Sequence, residues 1–116
     1  MLAKKFKLPG SLYPDLLATR NAVNHPLITL KSQKNNSFSR LGLLVGKKIS
    51  PQAVIRNRVK RQLSEAWRLL FSQIKPGADV LLLPRPALAQ KKFSEIKLAI
   101  KEVLVKARLL NDPIAT

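Results

Sequence analysis

Between Ser50 and Phe71 the chain carries one segment whose apolar and charged residues separate cleanly onto two faces of a helix. On a wheel of 100° per residue, Ile55, Val59, Leu63, Ala66 and Leu70 fall within an arc of about 80°. Asn57, Lys60, Arg61, Ser64 and Arg68 centre on the opposite side, with Arg56 and Arg58 flanking them. One face must therefore be buried, and the other is a rod of cations with an amide donor among them. Ser50-Pro51 is a start signal, a hydroxyl N-cap followed by proline in the first turn, and Pro76-Gly77 closes the connection after it. Charged helix faces are commonly just solvated, with acids at i±4 offsetting the bases. Here only Glu65, near Arg61, offers that compensation, so the cations repel one another. Lys47-Lys48, just before the helix, extends the same surface.

The whole composition points the same way. The 116 residues include 22 Lys plus Arg against 6 Asp plus Glu, a net charge of +16. That charge is self-repelling on so small a body and calls for a polyanionic partner. Residues 1–64 hold 13 basic and 1 acidic side chains and residues 65–116 hold 9 and 5, so the anion-facing surface belongs to the first half. Hydrophobic residues make up 46%, enough for the core of a single domain, and nothing marks a second one. Without cysteine there is no disulfide, thiolate nucleophile or Cys-ligated metal. A lone His25, placed in a surface loop, gives no His-pair metal site. The acids Asp15, Glu65, Asp79, Glu95, Glu102 and Asp112 are scattered, unlike the gathered carboxylates of a metal-dependent nuclease. Met1 to Lys7 has no signal-peptide run and no segment reaches the length of a membrane span, so the expectation is a cytoplasmic protein without a membrane partner.

Pro9-Gly10 ends a basic arm over residues 1–10, and Tyr13 to Ala18 reads as a short helix. Pro26 to Lys31 and Arg40 to Val45 read as strands around an Asn35-Asn36-Ser37 turn. In the second of these, Gly42 and Gly46 leave room on one face for something to approach the backbone. Ala78 to Leu83, apolar without alternation, reads as a buried strand. A last helix from Phe93 to Leu110 carries Ile96, Ala99, Ile100, Val103, Leu104 and Ala107 on one stripe. The residues alone thus give an α+β order of α-β-β-α-β-α with helices on one face of a short sheet. Trp67, Phe71 and Phe93 are expected in the core, and Lys91-Lys92 in solvent.

The series Gly46-Lys47-Lys48-Ile49-Ser50, then Arg56-Asn57-Arg58-Val59-Lys60-Arg61, then Glu65-Ala66-Trp67-Arg68, resembles the bacterial ribonuclease P protein subunit. The match is specific over residues 40–71 and looser through Gly77-Ala78-Asp79-Val80 and Pro84-Arg85-Pro86. The resemblance implies an α-β-β-β-α-β-α sandwich with a left-handed βαβ crossover, as in the second domain of ribosomal protein S5. That is one strand more than the residues show, and a break at Phe38-Ser39 would supply it. It implies binding of the catalytic ribonuclease P RNA by Lys47, Lys48, Arg56, Asn57, Arg58, Lys60, Arg61 and Arg68. It further implies a cleft between the first helix and the sheet for the 5′ leader of precursor tRNA, at Tyr13, Leu17, Ile28, Leu30 and Lys31. There Tyr13 and Leu17 stand where the family has two Phe, Arg20 where it has Gly, and Leu30 where it has Tyr. Gly46 replaces a common Ser. Cleavage would be done by the RNA with Mg²⁺, with no protein-bound cofactor and no catalytic side chain. The alternative is a small ribosomal protein holding rRNA through the same kind of helix. A helix-turn-helix DNA binder is disfavoured, because strands and not a short helix precede the basic helix.

Overall fold

The computed structural model describes residues 6–110. The elements are α1 (Tyr13–Ala18), β1 (Ala22–Asn24), β2 (Ile28–Lys34), β3 (Arg40–Leu43), α2 (Ala53–Leu70), β4 (Ala78–Pro84) and α3 (Phe93–Lys106). Single turns of 3-10 helix lie at Gly10–Leu12, Phe71–Gln73 and Pro86–Gln90. The order is α-β-β-β-α-β-α. The additional strand is not at Phe38-Ser39 but upstream, at Ala22–Asn24, where it pairs antiparallel with β2. A two-residue turn at Pro26-Leu27 closes this hairpin, with His25 and Ile28 exchanging backbone hydrogen bonds at 3.0 and 3.3 Å. Three residues without an apolar alternation leave no strand signal. Ser39, buried, instead fastens the entry of β3, its hydroxyl donating to the Lys75 carbonyl at 2.6 Å.

The sheet order is β1-β2-β4-β3, with β3 and β4 parallel and joined through α2. β4 is therefore central and buried on both faces. Val80 and Leu82 join Ile28, Leu30 and Leu41 under α2 and α3, whose Val59, Leu63, Trp67, Ile96, Ile100 and Leu104 complete the main core. Leu81 faces the other way and meets Leu8 and Leu16, with Leu12, Tyr13 and Leu83 around them. The helices thus do not share one face: α1 covers the side opposite α2 and α3. Gly42 makes that packing fit, because a Cβ there would lie 2.8 Å from Leu8 Cδ2 and 3.0 Å from the Tyr13 ring. The room left by this glycine is filled by the protein itself.

Two boundaries differ from the sequence expectation. α2 starts at Ala53, three residues after Ser50. The Ser50 hydroxyl accepts from the Gln52 N–H at 3.1 Å, forming a turn ahead of the helix instead of capping it. α3 ends at Lys106, followed by Arg108 with φ +61°, a left-handed conformation that turns the chain out of the helix. The arm is no free tail from Phe6 onward. Lys7 bridges to Leu41, Leu8 N–H donates to the Leu41 carbonyl, and the Phe6 ring stands edge-on to Phe38 and Phe71 at 5.1 and 4.9 Å. It covers the open edge of β3. Residues 1–5 of the arm lie outside the described residues.

Asp79 on β4 fixes the strand pairing across the sheet. Its carboxylate accepts from Arg40 Nε and Nη2, each at 2.8 Å, and from Asn35 Nδ2 at 2.7 Å. The bidentate contact holds the Arg40 guanidinium above its usual pKa. Asp79 is buried while Arg40 is partly exposed, so losing the carboxylate removes its three hydrogen bonds without leaving a fully buried charge. Asp79→Ala should cost about 1–3 kcal/mol in urea unfolding. Gly42→Val should cost about 1–3 kcal/mol by displacing Leu8 and Tyr13, readable in the same experiment.

Candidate nucleic-acid interface

α2 buries Val59, Leu63, Ala66 and Leu70 of the wheel's apolar arc, together with Trp67 at its edge, while Ile55 in the first turn is only half-buried. Lys47 and Lys48 are exposed in the turn before it, and Asn57, Arg58, Lys60, Arg61 and Arg68 are exposed along it. Of the eight residues singled out for RNA binding, seven are thus exposed, two in the turn before α2 and five along it. They are not equivalent. Arg56 is half-buried and folds back, Nη1 donating to the Ser50 carbonyl at 2.9 Å. Arg58 Nη2 donates to the Ala89 carbonyl at 2.8 Å, tying the Pro86–Gln90 turn to α2. Arg68 pairs with Glu65, three residues before it, through Nε at 3.0 Å and Nη2.

That last pair redirects the one acid available to the helix. Glu65 is held by Arg68 and not by Arg61, and the contact lowers the carboxylate's pKa while raising that of the guanidinium. Among the described residues, Lys47, Lys48, Lys60 and Arg61 are left with neither an acidic partner nor a side-chain hydrogen bond. These four form the uncompensated core of the surface. Lys7 adds to it from the arm, lining a cavity of about 250 Å³ with Tyr13, Leu43, Lys60 and Ser64.

The surface between α1 and the sheet is built from other residues than expected. Ile28 and Leu30 are fully buried in the main core and cannot line a cleft beside α1. The cause is the strand's period of two: with Ile28 and Leu30 turned to α2 and α3, Thr29, Lys31 and Gln33 face α1. Lys31 Nζ donates to the Leu17 carbonyl, and Gln33 Nε2 to the Asp15 carbonyl at 3.3 Å. Leu17 is 40% exposed. Tyr13 is half-buried and its hydroxyl accepts from the Leu43 N–H at 3.2 Å, so it also holds α1 to β3. Lys31 thus meets Leu17, while Tyr13, one turn earlier on α1, sits over β3.

Among the described residues, four of the five acids are engaged elsewhere. Besides Asp79 and Glu65, Glu102 meets His25 Nε2 at 3.1 Å, and Glu95 accepts from the Lys92 N–H at 3.2 Å. His25 is thus a fastener, its Nδ1 accepting from the Leu27 N–H while its other nitrogen reaches α3. Among the described residues no group of three His, Cys, Asp or Glu could hold a metal ion, so these side chains do not fit a Mg²⁺ site. Nor is any helix among them long and apolar enough to cross a membrane.

Fold and surface together define a small α+β domain that turns unpaired positive charge outward along one helix. Residues 9–108 match the family model for Ribonuclease P. A ribonuclease P protein component from Alkaliphilus oremlandii is 34% identical over 95 residues, 82% of each chain. One from Pseudanabaena is 36% identical over 77 residues, 66% of each chain. The fold is that of a Staphylococcus aureus RNase P protein mutant with defective mRNA degradation activity (TM-score 0.84, 23% identity, 92% of each chain). It is also that of the RNase P protein from Thermotoga maritima (TM-score 0.74, 25% identity, 86% of this chain and 96% of that one). The chain belongs to the ribonuclease P protein component family, a tRNA-processing family.

The different partners of Arg58 and Arg61 have distinct consequences for stability. Arg61→Ala should leave thermal melting unchanged, since nothing in the fold uses its guanidinium. Arg58→Ala should lose about 0.5–1 kcal/mol as the Pro86–Gln90 turn is released. Parallel melting curves of the two variants would separate these roles.

Proposed function

We propose that this ribonuclease P component docks on the catalytic RNA through the outward face of α2 and the turn before it. The RNA, with Mg²⁺, then removes the 5′ leader of precursor tRNA in the cytoplasm. The observation that carries this reading is the set Lys47, Lys48, Lys60 and Arg61, exposed in the turn before α2 and along its outer face and, among the described residues, without acidic partners. Guanidinium groups match phosphate oxygens bidentately, lysines neutralise them as point charges, and Asn57 offers an amide beside them. Arg56, Arg58 and Arg68 present further cations whose positions the fold already holds. The family match leaves the ribosomal-protein alternative without support.

The protein's part is electrostatic. A body of +16 replaces part of the divalent-ion atmosphere that a folded RNA otherwise needs. Tyr13, Leu17 and Lys31 form the surface we assign to the leader. With one aromatic ring there, backbone charge carries a larger share of that contact than stacking does.

The test is reconstitution. Purified protein alone should not cut precursor tRNA at any Mg²⁺ concentration, whereas with a bacterial ribonuclease P RNA at low Mg²⁺ it should restore 5′ processing. Specific 5′ cleavage by the RNA-free protein would overturn the reading. Four phosphate contacts should give a slope of log affinity against log salt of about −3, and Arg61→Ala should reduce it by roughly 1.

A further inference from the structure

Where α2 meets the start of α3 there is a depression of about 240 Å³ lined by Arg58, Arg61, Gln62, Glu65 and Phe93. The first four are spaced i, i+3, i+4 and i+7, which stacks them in one row along α2. Phe93 faces them from the first position of α3, packed partly on the main core and partly exposed. The depression therefore has an aromatic wall and two guanidinium groups, and its chemistry is suited to one kind of guest.

Each wall residue is set up for that guest. Arg58 is anchored at the Ala89 carbonyl, which fixes its guanidinium before any ligand arrives. Arg61 is exposed and unpaired. Glu65 is the one acid lining it, and its carboxylate is paired with Arg68. The Gln62 amide can donate and accept, as reading a base edge requires. Lys91 and Lys92, both exposed, immediately precede Phe93 in the chain. An acidic peptide would use the cations but not the ring, and an apolar segment would strand the arginines. A nucleotide uses both.

Resting on the RNA-binding reading of α2, we propose that this depression holds one unpaired nucleotide of the catalytic RNA. Its base stacks on Phe93 with an edge toward Gln62, and its phosphates lie on Arg58 and Arg61. Stacking explains an aromatic ring left partly exposed beside a polycationic helix, where an aliphatic side chain would serve the core equally well. It adds a shape-dependent contact to a surface otherwise built from charge.

The experiment measures affinity of the full chain for a bacterial ribonuclease P RNA, alongside melting. Phe93→Leu keeps the apolar packing and removes the π face. It should weaken binding about tenfold with melting little changed, the order of effect of a lost base–aromatic stack. Phe93→Tyr should bind within twofold of the unaltered chain. If Phe93→Leu binds normally while Arg61→Ala is weakened, the stacking proposal fails and the α2 reading stands; if neither is weakened, the α2 reading fails as well. Should Phe93→Leu not fold, photocrosslinking of 4-thiouridine-substituted RNA to the unaltered protein decides. A crosslink mapping to Phe93 supports the proposal, and crosslinks confined to other peptides overturn it.

Discussion

Every layer of this protein is attached to β4, a strand buried on both faces and paired on both edges. Its alternating residues serve two cores: Val80 and Leu82 are sealed under α2 and α3, and Leu81 is sealed under α1 and the arm. Its polar position, Asp79, binds Arg40 of β3 and Asn35 of the turn after β2, so strands far apart in sequence are fixed by one carboxylate. A seven-residue strand with so much resting on it cannot shift register. A slip of one residue would exchange the two cores and put Asp79 in the larger one.

That rigidity is what lets α2 carry its charge. Four cations without acidic partners repel one another, and an isolated helix bearing them would be poorly stable. Here the opposite face buries Trp67 and four aliphatic side chains against the sheet, worth about 1.5–3 kcal/mol for each large residue. Burial on one side offsets repulsion on the other, and the repulsion remains available to be relieved by a polyanion. The surrounding arginines divide the labour. Arg56, Arg58 and Arg68 hold the turn before the helix, the Pro86–Gln90 turn and Glu65, which fixes their charge in space, while Lys47, Lys48, Lys60 and Arg61 are left uncommitted. Only the protein's own folding distinguishes these groups.

The side of the sheet facing α1 is the more economical of the two. Tyr13 and Leu8 occupy the space above Gly42, and Lys31 and Gln33 tie β2 to the carbonyls of α1. Side chains that could contact a ligand are also holding the short helix in place. A six-residue helix has little intrinsic stability, so this dual use follows from its length.

Local periodicity was enough to determine much of the molecule. The two faces of α2 and the stripe of α3 follow from a spacing of 3.6, the double burial of β4 from an apolar run without alternation, and α1 from the turn before it and the proline in its first turn. The outward positive face follows from the charge and from the shortage of acids. Periodicity places a side chain on a face but does not say what lies opposite. The strand Ala22–Asn24 has no pattern of its own and exists because β2 pairs with it. Ile28 and Leu30 face away from α1, and alternation gives β2 two faces without saying which one meets that helix. Glu65 is three residues from Arg68 and four from Arg61, and only the helix in its packed setting settles which arginine it takes. The contacts of Arg58 with Ala89, His25 with Glu102, and Phe6 with Phe38 and Phe71 join segments distant in the chain, so only the tertiary structure could decide them.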